Sequence, residues 1–170
     1  TQMDLAPESA RVPVGAIKLL LLTGARRREI SFLRWENVDF HRKVAFIPTS
    51  KSGKSKYLQL NDEAIRTLET MPTRGKSEWV FTNRYDSRKP MNDPRKTFWT
   101  LLRQAGIHDH VRLHDCRHTF AATVINSGHE NANLYTVQSL LFHSSPTITM
   151  RYAHLASLTL KSATQAASDV

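Results

Sequence analysis

Hydrophobic positions along this chain fall in short blocks whose spacing changes from helical to strand-like and back. Val14 to Leu22 is apolar at helical density and reads as a buried helix. Thr23-Gly24 stops it, glycine suiting the left-handed position beyond a helix C-terminus. A second helix is predicted from Ala25-Arg26-Arg27-Arg28-Glu29 to Trp35, with Ile30 and Leu33 turned inward. Val44–Ile47 and Tyr57–Leu60 read as the two strands of a hairpin, joined by S-K-S-G-K-S-K. Asn61 or Asp62 caps a helix from Glu63 to about Met71. A loop, a short strand at Trp79–Phe81 and a polar stretch from Tyr85 to Asp93 follow. Pro94 to Ala105 is helical, with Phe98, Leu101 and Leu102 on its apolar side. The next helix carries Phe120, Ala121, Val124 and Ile125 inward and ends by Gly128; another runs from Leu134 to Leu141. Pro146 opens a last short helix, capped by Ser144 or Ser145, that presents Tyr152 about two turns on. The pattern predicts a mainly α domain with a small antiparallel sheet. The first dozen residues show no periodicity and read as a linker. Residues 155–170 form an alanine-rich tail with apolar positions at Leu155, Leu158 and Leu160, expected to dock on this domain or on a neighbouring copy.

Charge sharpens this picture. The chain has 170 residues, 24 Lys plus Arg against 15 Asp plus Glu, and a formal charge of +9. Such a balance points to a polyanionic partner, nucleic acid before an anionic membrane surface. The single cysteine, Cys116, excludes an internal disulfide and fits a reducing cytoplasm. No signal peptide is evident, and the apolar run from Ile17 to Leu22 is broken by Lys18, so no membrane partner is expected.

Three stretches carry candidate chemistry. The hairpin tip offers Lys51, Lys54 and Lys56 to a phosphate backbone, or simply guards a sheet edge. H-D-C-R-H places His114, Arg117 and His118 near one face of a helix start. Two histidines four apart resemble a zinc helix, but the metallopeptidase pattern needs glutamate where this chain has Asp115, and Arg117 would sit beside the ion. H-S-S-P-T-I-T-M-R-Y brings a phenol, Tyr152, with Arg151 before it and His143 nine residues upstream. Metal-free cleavage of a phosphodiester uses all three stretches. Arginine forks suit the non-bridging oxygens of a five-coordinate phosphorus. A tyrosine nucleophile stores the bond as a phosphotyrosyl ester, so no cofactor is required. A DNA-binding module accounts for the charge but not for the histidine–arginine pair together with the phenol.

From about Val14 to His154 the chain resembles the catalytic domain of tyrosine recombinases, the phage-integrase family. The resemblance rests on T-G-A-R-R-R-E (23–29), the hairpin S-K-S-G-K-S-K, H-D-C-R-H (114–118), and His143 with Tyr152 nine residues on. It implies catalytic roles for Arg26, Lys51, His114, Arg117, His143 and Tyr152. Arg26 and Arg117 would hold the phosphate, His143 would donate to it, His114 would assist proton transfer at the tyrosine, and Lys51 would protonate the 5′ leaving oxygen. Glu29 and His118 become supporting residues, and Lys54, Lys56 and Arg151 contacts to DNA. It also implies double-stranded DNA as partner and a tetramer on two DNA sites from a monomer in solution. A separate N-terminal DNA-binding domain outside these 170 residues, no metal, and a prokaryotic or phage cytoplasm complete the expectation. A type IB topoisomerase shares the chemistry, and a decayed DNA-binding domain shares the sequence. The family's usual glycine before the histidine at position 143 is Phe142 here, a side chain that either shifts His143 or packs.

Overall fold

The computed structural model describes residues 3, 7–48, 55–142 and 145–153. The chain divides into two units, Thr1–Arg117 and His118–Val170. The first is built on α1 (Arg11–Thr23), which buries Val14, Ala16, Ile17, Leu19 and Leu20. Each large side chain so buried contributes about 1.5–3 kcal/mol relative to exposure. The helix begins three residues earlier than the hydrophobic pattern predicts and follows a 3-10 turn at Glu8–Ala10, so the expected linker is partly ordered. Pro13 is accommodated in the first turn, where a missing N–H costs nothing. Gly24 closes α1 at φ 63°, and its N–H donates to the Leu20 carbonyl at 3.0 Å.

The second helix is shorter than expected. α2 spans only Arg27–Ser31, because the chain then turns to pair with a distant segment. The Val80 N–H donates to the Leu33 carbonyl, and the Trp35 N–H to the Glu78 carbonyl. Arg34 and Trp79 thus form an isolated antiparallel bridge, and the strand expected at Trp79–Phe81 is no more than that. A 3-10 turn at Trp35–Asn37 leads into β1 (Val38–Asp39), which the sequence pattern is too short to announce. β1, β2 (Val44–Ile47) and β3 (Lys56–Gln59) form an antiparallel sheet in that order. In its register Ile47 faces Lys56 and Ala45 faces Leu58. Residues 49–54, the hairpin tip with Lys51 and Lys54, lie outside the described residues.

α3 (Asp62–Glu69) packs on α1, and its cap is Asn61, whose side chain accepts from the Ala64 N–H at 2.9 Å. α4 (Arg95–Gln104) also packs on α1, burying Phe98 and Leu101. α5 (Asp115–Ile125) starts in the first unit, and the boundary between units falls inside its first turn. In the second unit Ala121, Ile125, Val137, Leu141 and Tyr152 make a small core. α6 (Leu134–Leu141) is capped by Asn133, which accepts from the Thr136 N–H at 2.9 Å. α7 (Pro146–Met150) is capped by Ser145. α6 ends on Phe142 at φ 53°, ψ 46°. That left-handed conformation is one glycine adopts freely and a bulky residue resists. No helix among the described residues is long and apolar enough to cross a membrane.

Candidate active site

In the first unit the site grows out of the junction between α1 and α2. Gly24 turns the chain, and Arg26 precedes α2 with extended backbone. Glu29, in the first turn of α2, reaches back to the Arg26 backbone N–H at 2.9 Å, one half of a capping box. Its other oxygen lies 3.1 Å from the Arg26 guanidinium and 2.9 Å from the Lys56 ammonium. The Glu29 and Lys56 side chains are each only 4% exposed, whereas Arg26 is 29% exposed. Burial alone would raise the Glu29 carboxyl, but the Arg26 N–H, Lys56 and the Arg26 guanidinium together hold it below its ordinary value. Burial lowers the Lys56 ammonium; Glu29 opposes that, and the nearby charges of Arg26 and Arg117 reinforce it.

Arg117 enters from the start of α5. It is buried, and its guanidinium donates to the Gly24 carbonyl, which lies two residues before Arg26. One turn of backbone therefore anchors both arginines. His114 lines a cleft of about 850 Å³ together with Arg26, Glu29 and Arg28. It also borders a second hollow of about 430 Å³ shared with Arg117, Arg27, Arg95, Arg112 and Trp99. Arg27 is tied down by the Asn92 carbonyl at 2.9 Å and by Asp93 at 3.4 Å, and Arg28 lies over the Phe32 ring. Preorganised cations of this kind, partly shielded from water, suit a bound phosphate.

In the second unit the Tyr152 hydroxyl lies 2.6 Å from Nδ1 of His118, with Tyr152 only 4% exposed. Tyr152 does not sit within α7 as the spacing suggests. The helix ends at Met150, and Tyr152 lies in the following turn, its N–H donating to the Thr149 carbonyl.

A model of the phage integrase family matches residues 4–158. The chain belongs to the phage integrase family. The integrase of Salmonella phage P22 is 35% identical over 153 residues, which cover 82% of this chain and 38% of that protein. Tyrosine recombinase XerD of Vibrio vulnificus (strain YJ016) is 33% identical over 154 residues, covering 85% of this chain and 49% of that one. The chain thus spans less than half the length of these curated relatives. The catalytic domain of bacteriophage HP1 integrase superposes with a TM-score of 0.62 at 26% identity, covering 92% of this chain and 87% of that one. The XerH site-specific recombinase bound to difH shares the fold at a TM-score of 0.75 and 22% identity, over 96% of this chain and 49% of that one. The fold is that of a tyrosine recombinase catalytic domain, mainly helical with a small antiparallel sheet.

For this phage integrase family member, the structure gathers Arg26, Glu29 and Lys56 at one carboxylate and anchors Arg117 beside them. It pairs His118 with Tyr152. Lys51, Lys54 and His143 fall outside the described residues, and Arg151 is exposed. Lys56 is a correction to the sequence expectation. Its ammonium is not offered to DNA at the surface but is buried against Glu29. The signal was available: with period 2, Lys56 shares the inward face of β3 with Leu58. Asp115 likewise turns to Arg112 at 3.0 Å, and burial pushes the Cys116 thiol up to about 11.

Proposed function

We propose that this chain is the catalytic domain of a site-specific recombinase that cuts and rejoins double-stranded DNA through tyrosine. The observation that carries the reading is the anchoring of Arg117 on the Gly24 carbonyl, beside the Arg26 that Glu29 holds, in a member of the phage integrase family. The Tyr152 oxygen attacks the scissile phosphorus and gives up its proton. The bond from phosphorus to the 5′ oxygen breaks, and that oxygen leaves as a hydroxyl. The 3′ end stays on Tyr152 as a phosphodiester, and attack by a 5′ hydroxyl reverses the step. Arg26 and Arg117 balance the charge that builds on the non-bridging oxygens. His118, on the phenol, is positioned to take its proton, with His114 assisting as the family pattern implies. Lys51 supplies the proton to the leaving oxygen, and His143 donates to the phosphate. The length of the relatives supports a further DNA-binding domain in the whole protein, and recombination between two sites calls for a tetramer.

The test is a nicked suicide DNA carrying the cleavage site, incubated with the full-length protein and resolved on a denaturing gel. A covalent adduct is expected with the wild type, in EDTA as well, and none with Tyr152→Phe, which still binds DNA. An adduct that survives Tyr152→Phe refutes the nucleophile. Relaxation of plasmids lacking any site would replace recombinase by topoisomerase.

A further inference from the structure

The reaction just described leaves one buried cation of the arginine site without a role. Lys56 stands on the inward face of β3, opposite Ile47, with its ammonium 2.9 Å from Glu29. The same Glu29 oxygen lies 3.1 Å from the Arg26 guanidinium, and its other oxygen holds the Arg26 backbone. Of the three side chains only Arg26 reaches appreciably toward solvent, and it lines the 850 Å³ cleft with His114. The three groups together carry one net positive charge. Without Lys56, Arg26 and Glu29 would cancel, and the guanidinium would meet a phosphate as half of a neutral pair. A buried carboxylate serving two cations leaves part of the guanidinium fork for another acceptor; serving one, it competes for the whole fork.

We infer that Lys56 is a positioning residue for Arg26: through Glu29 it keeps that arginine aimed and its positive charge available to the scissile phosphate, without touching DNA itself. The inference rests on the proposed cleavage of DNA by this domain. Burial, with the neighbouring Arg26 and Arg117 charges, lowers the Lys56 pKa, and the Glu29 carboxylate opposes that shift and favours the charged ammonium.

The deciding experiment compares suicide substrates with a normal phosphate and with a neutral methylphosphonate at the scissile position, in the full-length protein. A methylphosphonate lacks the charge that Arg26 would balance, so Arg26→Ala should lose much on phosphate and little on methylphosphonate. Lys56→Met is expected to follow the same pattern, slowing phosphate cleavage by about 10- to 100-fold, the scale for a group that supports a directly acting one. Lys56→Arg should retain most activity. Glu29→Gln added to Lys56→Met should restore part of the rate, because the uncompensated carboxylate is gone. Equal slowing of Lys56→Met on both substrates would mean that Lys56 only supports the fold, and unchanged phosphate cleavage would give it no role; either overturns the inference. Should Lys56→Met fail to fold, Lys56→Gln carries the same comparison. A wild type that makes no adduct defeats the proposed function instead. In that event the 15N resonance of the Arg26 Nε still decides the coupling: it must shift in Lys56→Met and return in the double variant, and a resonance that stays put refutes the link.

Discussion

Glu29→Ala should be among the most destabilising single changes in the first unit, and its cost should depend on pH. The substitution strands the Lys56 ammonium, whose side chain is 4% exposed, and removes the acceptor of the Arg26 N–H. Breaking a buried pair by deleting one partner costs about 3–5 kcal/mol, and losing the helix-start acceptor about 1 more, without full additivity. Lys56 has an escape, because it can shed its proton. From an ordinary 10.5 that costs about 1.4 kcal/mol per pH unit, hence a ceiling near 5 kcal/mol at pH 7 and about 2 at pH 9. Folded Lys56 already holds its proton less tightly than the unfolded chain does, and less still without Glu29. In the window below 10.5 the unfolded variant therefore binds more protons, its stability rises with pH, and the gap to wild type narrows. The assay is urea unfolding followed by tryptophan fluorescence, since Trp35, Trp79 and Trp99 all lie in the first unit. A loss of about 3–5 kcal/mol at pH 7, falling toward about 2 at pH 9, is expected, with most of it recovered in Glu29→Ala/Lys56→Met. A loss under about 1 kcal/mol, or one that is flat between pH 7 and 9, would refute the buried pair as described.

Four further outcomes are expected. In acid, the wild-type stability supplied by Glu29 should be full above its ordinary value of 4.5, decline as pH falls below it and be gone once pH is under the lower folded value; Glu29→Gln should flatten that part of the unfolding profile. Cys116 should resist thiol reagents at pH 8 in the folded protein and react once urea exposes it, because burial sets its pKa at about 11. Asn133→Ala should cost the second unit about 1 kcal/mol through the lost cap on Thr136, read as faster amide exchange in α6. Phe142→Gly should slow exchange in the same helix, releasing about 1 kcal/mol of left-handed strain.

Local signals predicted the starts of the late helices well. Asn61, Asn133 and Ser145 cap where a short polar side chain precedes an apolar run, and Gly24 stops α1 as its type suggests. What the sequence hid is long-range. α2 stops at Ser31 because Leu33 and Trp35 bond to residues near 79, and nothing within residues 25–35 encodes that partner. The arginine site was legible as residue types at fixed spacing, yet the burial of Lys56 against Glu29 was not, because charge pointed outward while strand alternation pointed inward. His118, expected as a supporting residue, is the hydrogen-bond partner of the phenol, a contact the spacing alone does not specify. Phe142 read as a departure from a usual glycine, without the reason: the position demands positive φ.

Arg117 and His118 are consecutive residues, one anchored on Gly24 and the other bonded to Tyr152. Arginine is followed by histidine at this one place in the 170 residues. Labelling arginine carbonyls with 13C and histidine amides with 15N would therefore leave a single carbonyl–amide correlation from these 170 residues. That lone signal sits on the peptide bond between the residue that ends the arginine-bearing unit and the residue that begins the tyrosine-bearing one. It offers a selective magnetic reporter for events at both ends of the chemistry.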